Sequence, residues 1–110
     1  MNKYFIIIIL IFSSCKKGKD YKKVTISDFS NKRIDTLKPL DNKSYYAYFI
    51  KVNGHVNDSV KIQRHGYFDI TLTGKIDTIL RGDYYGGENV IYLFNPYKAS
   101  EGKLEIEYSL

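Results

Sequence analysis

The residues best suited to binding chemistry lie in one glycine-rich segment, GDYYGGEN, which spans residues 82–89. The candidate binding residues are Asp83, Tyr84, Tyr85, Glu88, Asn89 and, in the neighbouring loop, Tyr97. Aromatic rings bury contact area at little entropic cost, and carboxylates or amides supply directed hydrogen bonds or oxygen ligands. Such a segment could grip a sugar, a peptide or Ca²⁺. Alternatively, it is a structural loop in which Asp begins a turn, tyrosines cover a sheet edge and glycines supply positive φ.

Catalytic and metal-binding patterns are weak in this chain. His55 and His65 lie on different predicted elements, and each is typical of a surface or turn residue rather than a metal ligand. A hydrolase needs a nucleophile beside a base, but no Gly-x-Ser-x-Gly segment is present and Cys15 is the single cysteine. Asp83 and Glu88 share one loop instead of facing each other across a cleft, as paired-carboxylate chemistry requires. We therefore expect no catalytic residue, no metal site, no cofactor and no enzymatic activity.

Residues 1–14 are organised like an export signal. Lys3 supplies a positive start, and residues 4–12 (YFIIIILIF) form an unbroken apolar run. As a helix, this run of nine residues would extend about 14 Å, far less than the roughly 30 Å of a bilayer core. The segment Phe12-Ser13-Ser14-Cys15 follows and resembles the lipobox of bacterial lipoproteins, in which small residues precede a cysteine. The family pattern usually has Leu, Val or Ile where this chain has Phe12.

The resemblance implies cleavage before Cys15, lipid on the Cys15 sulfur and a location in the cell envelope. Lys16 stands where Asp would retain an enteric lipoprotein in the inner membrane, so the resemblance implies the outer membrane. The alternative is an ordinary secretory signal with an incidental cysteine. Residues 15–23 are predicted to form a lysine-rich tether, mainly a solvated spacer with some attraction to anionic head groups.

Three tripeptides resemble the O-glycosylation acceptor of exported proteins in Bacteroidetes, which is Asp, then Ser or Thr, then a residue such as Val, Ile or Leu. They are Asp35-Thr36-Leu37, Asp58-Ser59-Val60 and Asp77-Thr78-Ile79. The resemblance implies modification at Thr36, Ser59 and Thr78. Thr78 falls on a predicted inward face, which argues against that position.

An alternating apolar pattern dominates the chain from Ser44 onwards. We predict strands over residues 46–56, 60–62, 68–73, 76–80, 90–94 and 104–110, with turns at Asn57-Asp58-Ser59, His65-Gly66 and Gly74 and loops over 82–89 and 95–102. Gly54 marks a bulge or a close backbone approach, or else Asn53-Gly54 is a hairpin turn that splits the first strand. Residues 24–43 either add an edge strand near Val24 and Ile26 or lie across the domain.

Six or seven short strands without a helical period predict an all-β domain. We expect a small antiparallel β-sandwich or barrel over residues 24–110, with its core in residues 44–110. Outside the lysine cluster the charges are balanced, which argues against a nucleic-acid-binding face. The leading interpretation is a membrane-anchored, non-enzymatic binding or assembly module whose partner is an envelope protein or glycan. The alternative is an anchored inhibitor or immunity protein that blocks a lysozyme-like enzyme or toxin.

Overall fold

The computed structural model describes residues 19–110, and within that range the chain forms six strands and no helix. The strands are β1 (Tyr21–Ile26), β2 (Arg33–Leu37), β3 (Ala47–Arg64), β4 (Ile70–Asp83), β5 (Val90–Asn95) and β6 (Gly102–Ser109). All are joined antiparallel into a nearly closed, barrel-like sheet. The predicted all-β fold class is therefore confirmed. The predicted signal peptide, Cys15 and the first part of the tether lie outside the described residues.

The long strand β3 organises the sheet, whose order is β1-β6-β3-β5-β2 with β4 on the other edge of β3. Residues 49–56 of β3 pair with β6, and residues 61–64 pair with β5. The two halves of β3 thus have different neighbours along the same edge. The sheet nearly closes where Lys19 and Lys38 exchange backbone hydrogen bonds of 2.9 and 2.8 Å. This bridge brings the beginning of β1 to the end of β2.

The predicted turn at Asn57-Asp58-Ser59 is a bend within β3, so this prediction is corrected. The register of β3 against β4 shifts between Val56 and Val60, which leaves residues 57–59 opposite a shorter stretch of β4. Tyr48 lies near the start of β3 and Tyr67 just beyond its end, yet their rings are 6.3 Å apart. The strand therefore returns towards its own beginning after the bend. Gly74 likewise does not end a strand. It lies within β4 with φ of 71° and pairs with Val56, where the bend of β3 begins.

Gly54 sits where β3 approaches β6 too closely for a side chain. Its φ is 139°, and a Cβ there would overlap the backbone carbonyl oxygen of Lys103. The predicted close approach is confirmed, and the alternative hairpin turn at Asn53-Gly54 is wrong because β3 continues through both residues.

The core lies inside the barrel-like sheet. It is built from alternate residues of β3, β5 and β6, including Ile50, Val52, Ile62, Tyr92, Phe94, Leu104, Ile106 and Tyr108. The Tyr92 and Tyr108 rings stack with centroids 4.2 Å apart, and burial raises the pKa of both hydroxyls. Only Ile76 of β4 is fully buried, so β4 is the exposed margin of the sheet.

Residues 19–43 contribute more to the fold than the sequence predicted. They supply two strands, β1 and β2, and β2 was not anticipated. The tether was predicted to extend to Lys23, but β1 begins at Tyr21 and pairs along its length with β6. Lys22 is not a spacer residue, because its amine lies 2.8 Å from a carboxylate oxygen of the buried Asp35.

Candidate functional site

Two of the predicted binding tyrosines are adjacent in sequence but have opposite environments. Tyr84 is 2% exposed and belongs to the core, whereas Tyr85 is 78% exposed. The Tyr84 hydroxyl donates a hydrogen bond of 2.6 Å to the backbone carbonyl of Glu88. Its ring packs edge-on against Tyr45, with centroids 6.0 Å apart. Tyr84 thus fixes the loop, and Tyr85 is the ring that the loop presents to solvent.

Arg64, which was not among the predicted site residues, fixes the loop from the other side. The guanidinium is buried and lies 4.5, 4.9 and 5.5 Å from the ring centroids of Tyr67, Tyr48 and Tyr84. One nitrogen donates to the Asp83 carbonyl at 3.2 Å, and another lies 3.6 Å from the Glu88 carboxylate. The Asp83 backbone carbonyl and the Glu88 carboxylate therefore both help Arg64 to hold the loop. A signal was present, since Arg64 follows Val60 and Ile62 at inward positions.

Tyr85 and Asn89 border a cleft of about 610 Å³ between the 84–89 loop and the connection from β2 to β3. Lys38, Leu40, Asp41 and Tyr45 form the opposite wall, and Gly86 and Gly87 contribute backbone at the rim. The cleft combines an aromatic ring, an amide, a carboxylate and an amine. Such a lining suits a polar chain that also presents a flat or apolar face, such as a sugar or an extended peptide.

The β2–β3 wall of the cleft is held by a small polar cluster around Asp20. The Tyr45 hydroxyl accepts a hydrogen bond of 2.9 Å from the Leu40 amide and donates one of 3.0 Å to Asp20. The Lys43 amine also lies 3.0 Å from the Asp20 carboxylate. This bond from Lys43 outweighs desolvation and holds the pKa of Asp20 below its ordinary value. The cleft is thus braced on both sides before any ligand arrives.

Tyr97 does not join this cleft. It follows β5, whereas the 84–89 loop precedes β5, and the six residues of β5 separate the two loops by about 20 Å. Tyr97 is 49% exposed, has φ of 54° and lies beneath the Lys61 amine, which is 4.3 Å from its ring centroid. Of the six predicted binding residues, the structure brings Tyr85 and Asn89 to the cleft and uses Tyr84 beneath it.

The three predicted glycosylation positions differ in accessibility. Thr36 is exposed on β2, whereas Ser59 and Thr78 are half-buried. The Ser59 carbonyl accepts hydrogen bonds from the Lys98 and Ala99 amides at the bend of β3. Modification at these positions stays a prediction.

Residues 19–110 contain no group of three His, Cys, Asp or Glu side chains arranged to hold a metal ion. Within the same range, no helix is long and apolar enough to cross a membrane.

The sequence matches no known family of proteins and no curated protein. Among solved structures, the chain is similar to a de novo designed double-stranded β-helix determined in solution, with 9% sequence identity and a TM-score of 0.46. The match covers 81% of this chain and 95% of the designed protein. A likeness of this size does not bear on function.

Proposed function

We propose that this chain is an envelope lipoprotein, held to a membrane by lipid on Cys15, whose β-domain is a non-enzymatic binding or assembly module. The Phe12-Ser13-Ser14-Cys15 segment and the preceding apolar run support the anchor. The braced cleft between the 84–89 loop and the β2–β3 connection supports the binding role.

The observation that carries the proposal is the contrast between the buried Tyr84 and the exposed Tyr85. Tyr84 and Arg64 are buried and position a short loop, and this loop exposes Tyr85 at a cleft. An isolated exposed tyrosine is ordinary on a protein surface. An exposed tyrosine on a loop that is braced from below has lost most of its backbone entropy in advance, which favours binding.

The anchor would place this cleft close to the membrane. Only residues 16–18 separate Cys15 from Lys19, where the described fold begins, and four extended residue steps reach at most about 14 Å. Lys19 pairs with Lys38, which lines the cleft. Under this proposal the partner is an envelope protein or glycan within reach of the membrane surface.

The experiment compares two exposed tyrosines, Tyr85 and Tyr97, in the loops at opposite ends of β5. A photo-crosslinking amino acid is placed at Tyr85 or at Tyr97 in the anchored protein, and cells are irradiated before the envelope is solubilised. We expect a specific adduct from position 85 and none from position 97. Co-purification without the cross-linker provides a second measurement. Tyr85→Ala should no longer co-purify with the same partner, whereas Tyr97→Ala should, and both melting temperatures should be close to that of the unmodified protein.

Equal adducts from both positions, or unchanged capture by Tyr85→Ala, would contradict the binding role of the cleft. The identity of the adduct distinguishes the two classes of function. An envelope component favours an assembly module, and an exogenous lysozyme-like enzyme or toxin favours the inhibitor or immunity role.

A further inference from the structure

The margin of the sheet is a long edge strand. Among the described residues β4 pairs with β3 alone, so its other edge presents unpaired backbone amides and carbonyls. Natural proteins protect such edges with proline, with bulges, with a covering segment or with charged side chains, which disfavour an added strand unless its charges are opposite and in register. Residues 75–83 of β4 (KIDTILRGD) contain no proline, and they pair with β3 without a register shift. This stretch is therefore open to an added strand.

The outward-facing residues of this stretch alternate in charge around one apolar side chain. In order they are Lys75, Asp77, Ile79, Arg81 and Asp83, and all are exposed. None of the four charged side chains forms an ion pair with another residue in the described range. Ile79 is 62% exposed at the centre of the row.

The row is complementary to itself when a second copy runs antiparallel with Ile79 opposite Ile79. Lys75 then faces Asp83 of the second copy, and Asp77 faces Arg81 of the second copy. A two-fold axis repeats both pairings. Opposite charges that face each other across an antiparallel pair are stabilising, and like charges are destabilising by a similar amount.

The neighbouring registers lose this complementarity. Since side chains alternate between faces, the register can change only in steps that keep outward residues opposite outward residues. A step in one direction sets Lys75 against Arg81, and a step in the other sets Asp77 against Asp83. Both place like charges opposite each other, so the charge row selects the register centred on Ile79.

The inward face agrees with the same register. Thr78 and Leu80, both half-buried in the single chain, would face each other across the two copies. Ile76 would face Gly82, whose inner side is covered by the Tyr48 ring of the same chain. The inner side of the pairing would therefore be apolar, with Ile76 of one copy beside the aromatic ring of the other.

We propose that this chain forms a homodimer in which residues 75–83 of β4 pair antiparallel with the same residues of a second copy, with Ile79 on the two-fold axis. The two sheets become one continuous sheet across the dimer. The contact is isologous and closes on itself, so it yields a dimer and not a filament. It does not depend on the lipid anchor or on a ligand in the cleft.

Cysteine cross-linking in cells tests the register. At the axis, Ile79→Cys places two thiols opposite each other with Cα atoms about 4.5–5.5 Å apart, which a disulfide can span. In the Asp77→Cys variant the two new thiols are four residues out of register, about 13 Å apart. After a brief oxidant treatment, we expect a disulfide-linked dimer from Ile79→Cys and none from Asp77→Cys. The unmodified protein controls for Cys15.

Charge exchange tests the pairing itself. Asp77→Arg or Arg81→Asp alone sets like charges opposite each other at both symmetric positions, and each should weaken dimerisation about tenfold or more. Combining both substitutions in one chain restores opposite charges and should restore the dimer. Two differently tagged chains that carry one substitution each should co-purify with each other better than either does with itself. Circular dichroism confirms that each variant is folded.

Three results would overturn the proposal. The protein could stay monomeric at every concentration in sedimentation. Asp77→Cys could cross-link as well as Ile79→Cys. Finally, Ile79→Cys could cross-link to a different envelope protein, which would show that the edge receives a foreign strand.

Discussion

At the scale of single residues, the buried carboxylate of Asp35 links β1 to β2 through its ion pair with Lys22. Asp35 is 3% exposed, and its two oxygens lie 2.8 Å from the Lys22 amine and 2.8 Å from the Arg33 guanidinium. Burial alone would raise the pKa of Asp35, but the hydrogen bonds from Arg33 and Lys22 outweigh it and the pKa lies below its ordinary value. A buried charge that loses its partners is costly, so this carboxylate should be important to stability.

Asp35→Asn should lower the free energy of unfolding by about 1–3 kcal/mol at pH 7, because it removes the ion pairs but keeps the size of the side chain. The lowered folded-state pKa means that the stabilisation is complete above the unfolded-state pKa, about 3.9, and is lost as the pH falls through the folded value. Urea unfolding at a series of pH values should therefore show a gap between the two proteins that narrows below about pH 4. Asp41→Asn, at an exposed position, is the matched control. A gap that is the same at every pH would contradict this role.

The burial of Tyr84 could be predicted from the sequence, whereas the aromatic contacts of Arg64 could not. Residues 76, 78, 80 and 82 face inward along β4, and Tyr84 keeps the same parity, so its burial follows from the alternation. The same alternation places Arg64 inward after Val60 and Ile62, but its contacts could not be predicted in this way. Its three aromatic neighbours come from β3, from the β3–β4 turn and from the 84–89 loop. Only the return of β3 on itself brings them together.

At the scale of elements, the sequence predicted the last two strands better than the earlier ones. The predicted strands over residues 90–94 and 104–110 match β5 and β6 within two residues. By contrast, the Asn57-Asp58-Ser59 cluster has the composition of a turn, yet Asn57 uses its side chain on a distant loop. Its side-chain nitrogen donates a hydrogen bond of 2.9 Å to the Ser100 hydroxyl. Its side-chain oxygen accepts hydrogen bonds of 3.0 Å from the backbone amides of Ser100 and Glu101. Long-range bonds of this kind leave no periodic trace in a sequence.

Asn57→Ala should lower the free energy of unfolding by about 1–3 kcal/mol, because three hydrogen bonds that hold the β5–β6 loop to the bend are lost together. Asn53→Ala, at an exposed position of the same strand, should change it by less than about 0.5 kcal/mol. Urea unfolding of the two variants checks the difference. Hydrogen exchange should also show faster exchange of the Ser100 and Glu101 amides in Asn57→Ala alone. Equal stabilities would show that the bend is maintained by strand pairing without this side chain.

At the scale of the whole molecule, the fold closes at the place where the chain enters it. Lys19 pairs with Lys38, and the Leu110 amide donates 3.0 Å to the Asp20 carbonyl, so the last described residue also lies beside the first strand. The sequence did not predict this closure, because a run of lysines has the composition of a solvated spacer. Within the fold, Lys22 instead meets a buried carboxylate and Lys19 contributes its backbone. A closure of this kind shortens the segment that could separate the domain from a membrane.

The last prediction tests the anchor and this short separation together. Cys15→Ser should abolish palmitate labelling and release the protein from membranes or stall its processing, since stable anchoring needs acyl chains.

In the anchored protein, a thiol reagent too large to enter the bilayer surface should label Lys38→Cys more slowly than Lys98→Cys. Lys38 lies at the entry of the chain, whereas Lys98 lies in the β5–β6 loop beside the bend of β3. A flexible Gly/Ser insertion of about 20 residues after Gly18 should equalise the two rates, because its root-mean-square length of about 25 Å lifts the domain from the surface. Normal processing and membrane retention of Cys15→Ser would contradict the anchor. Equal labelling without the insertion would contradict only the orientation, because a domain can be anchored at Cys15 and still turn its Lys38 end away from the lipid.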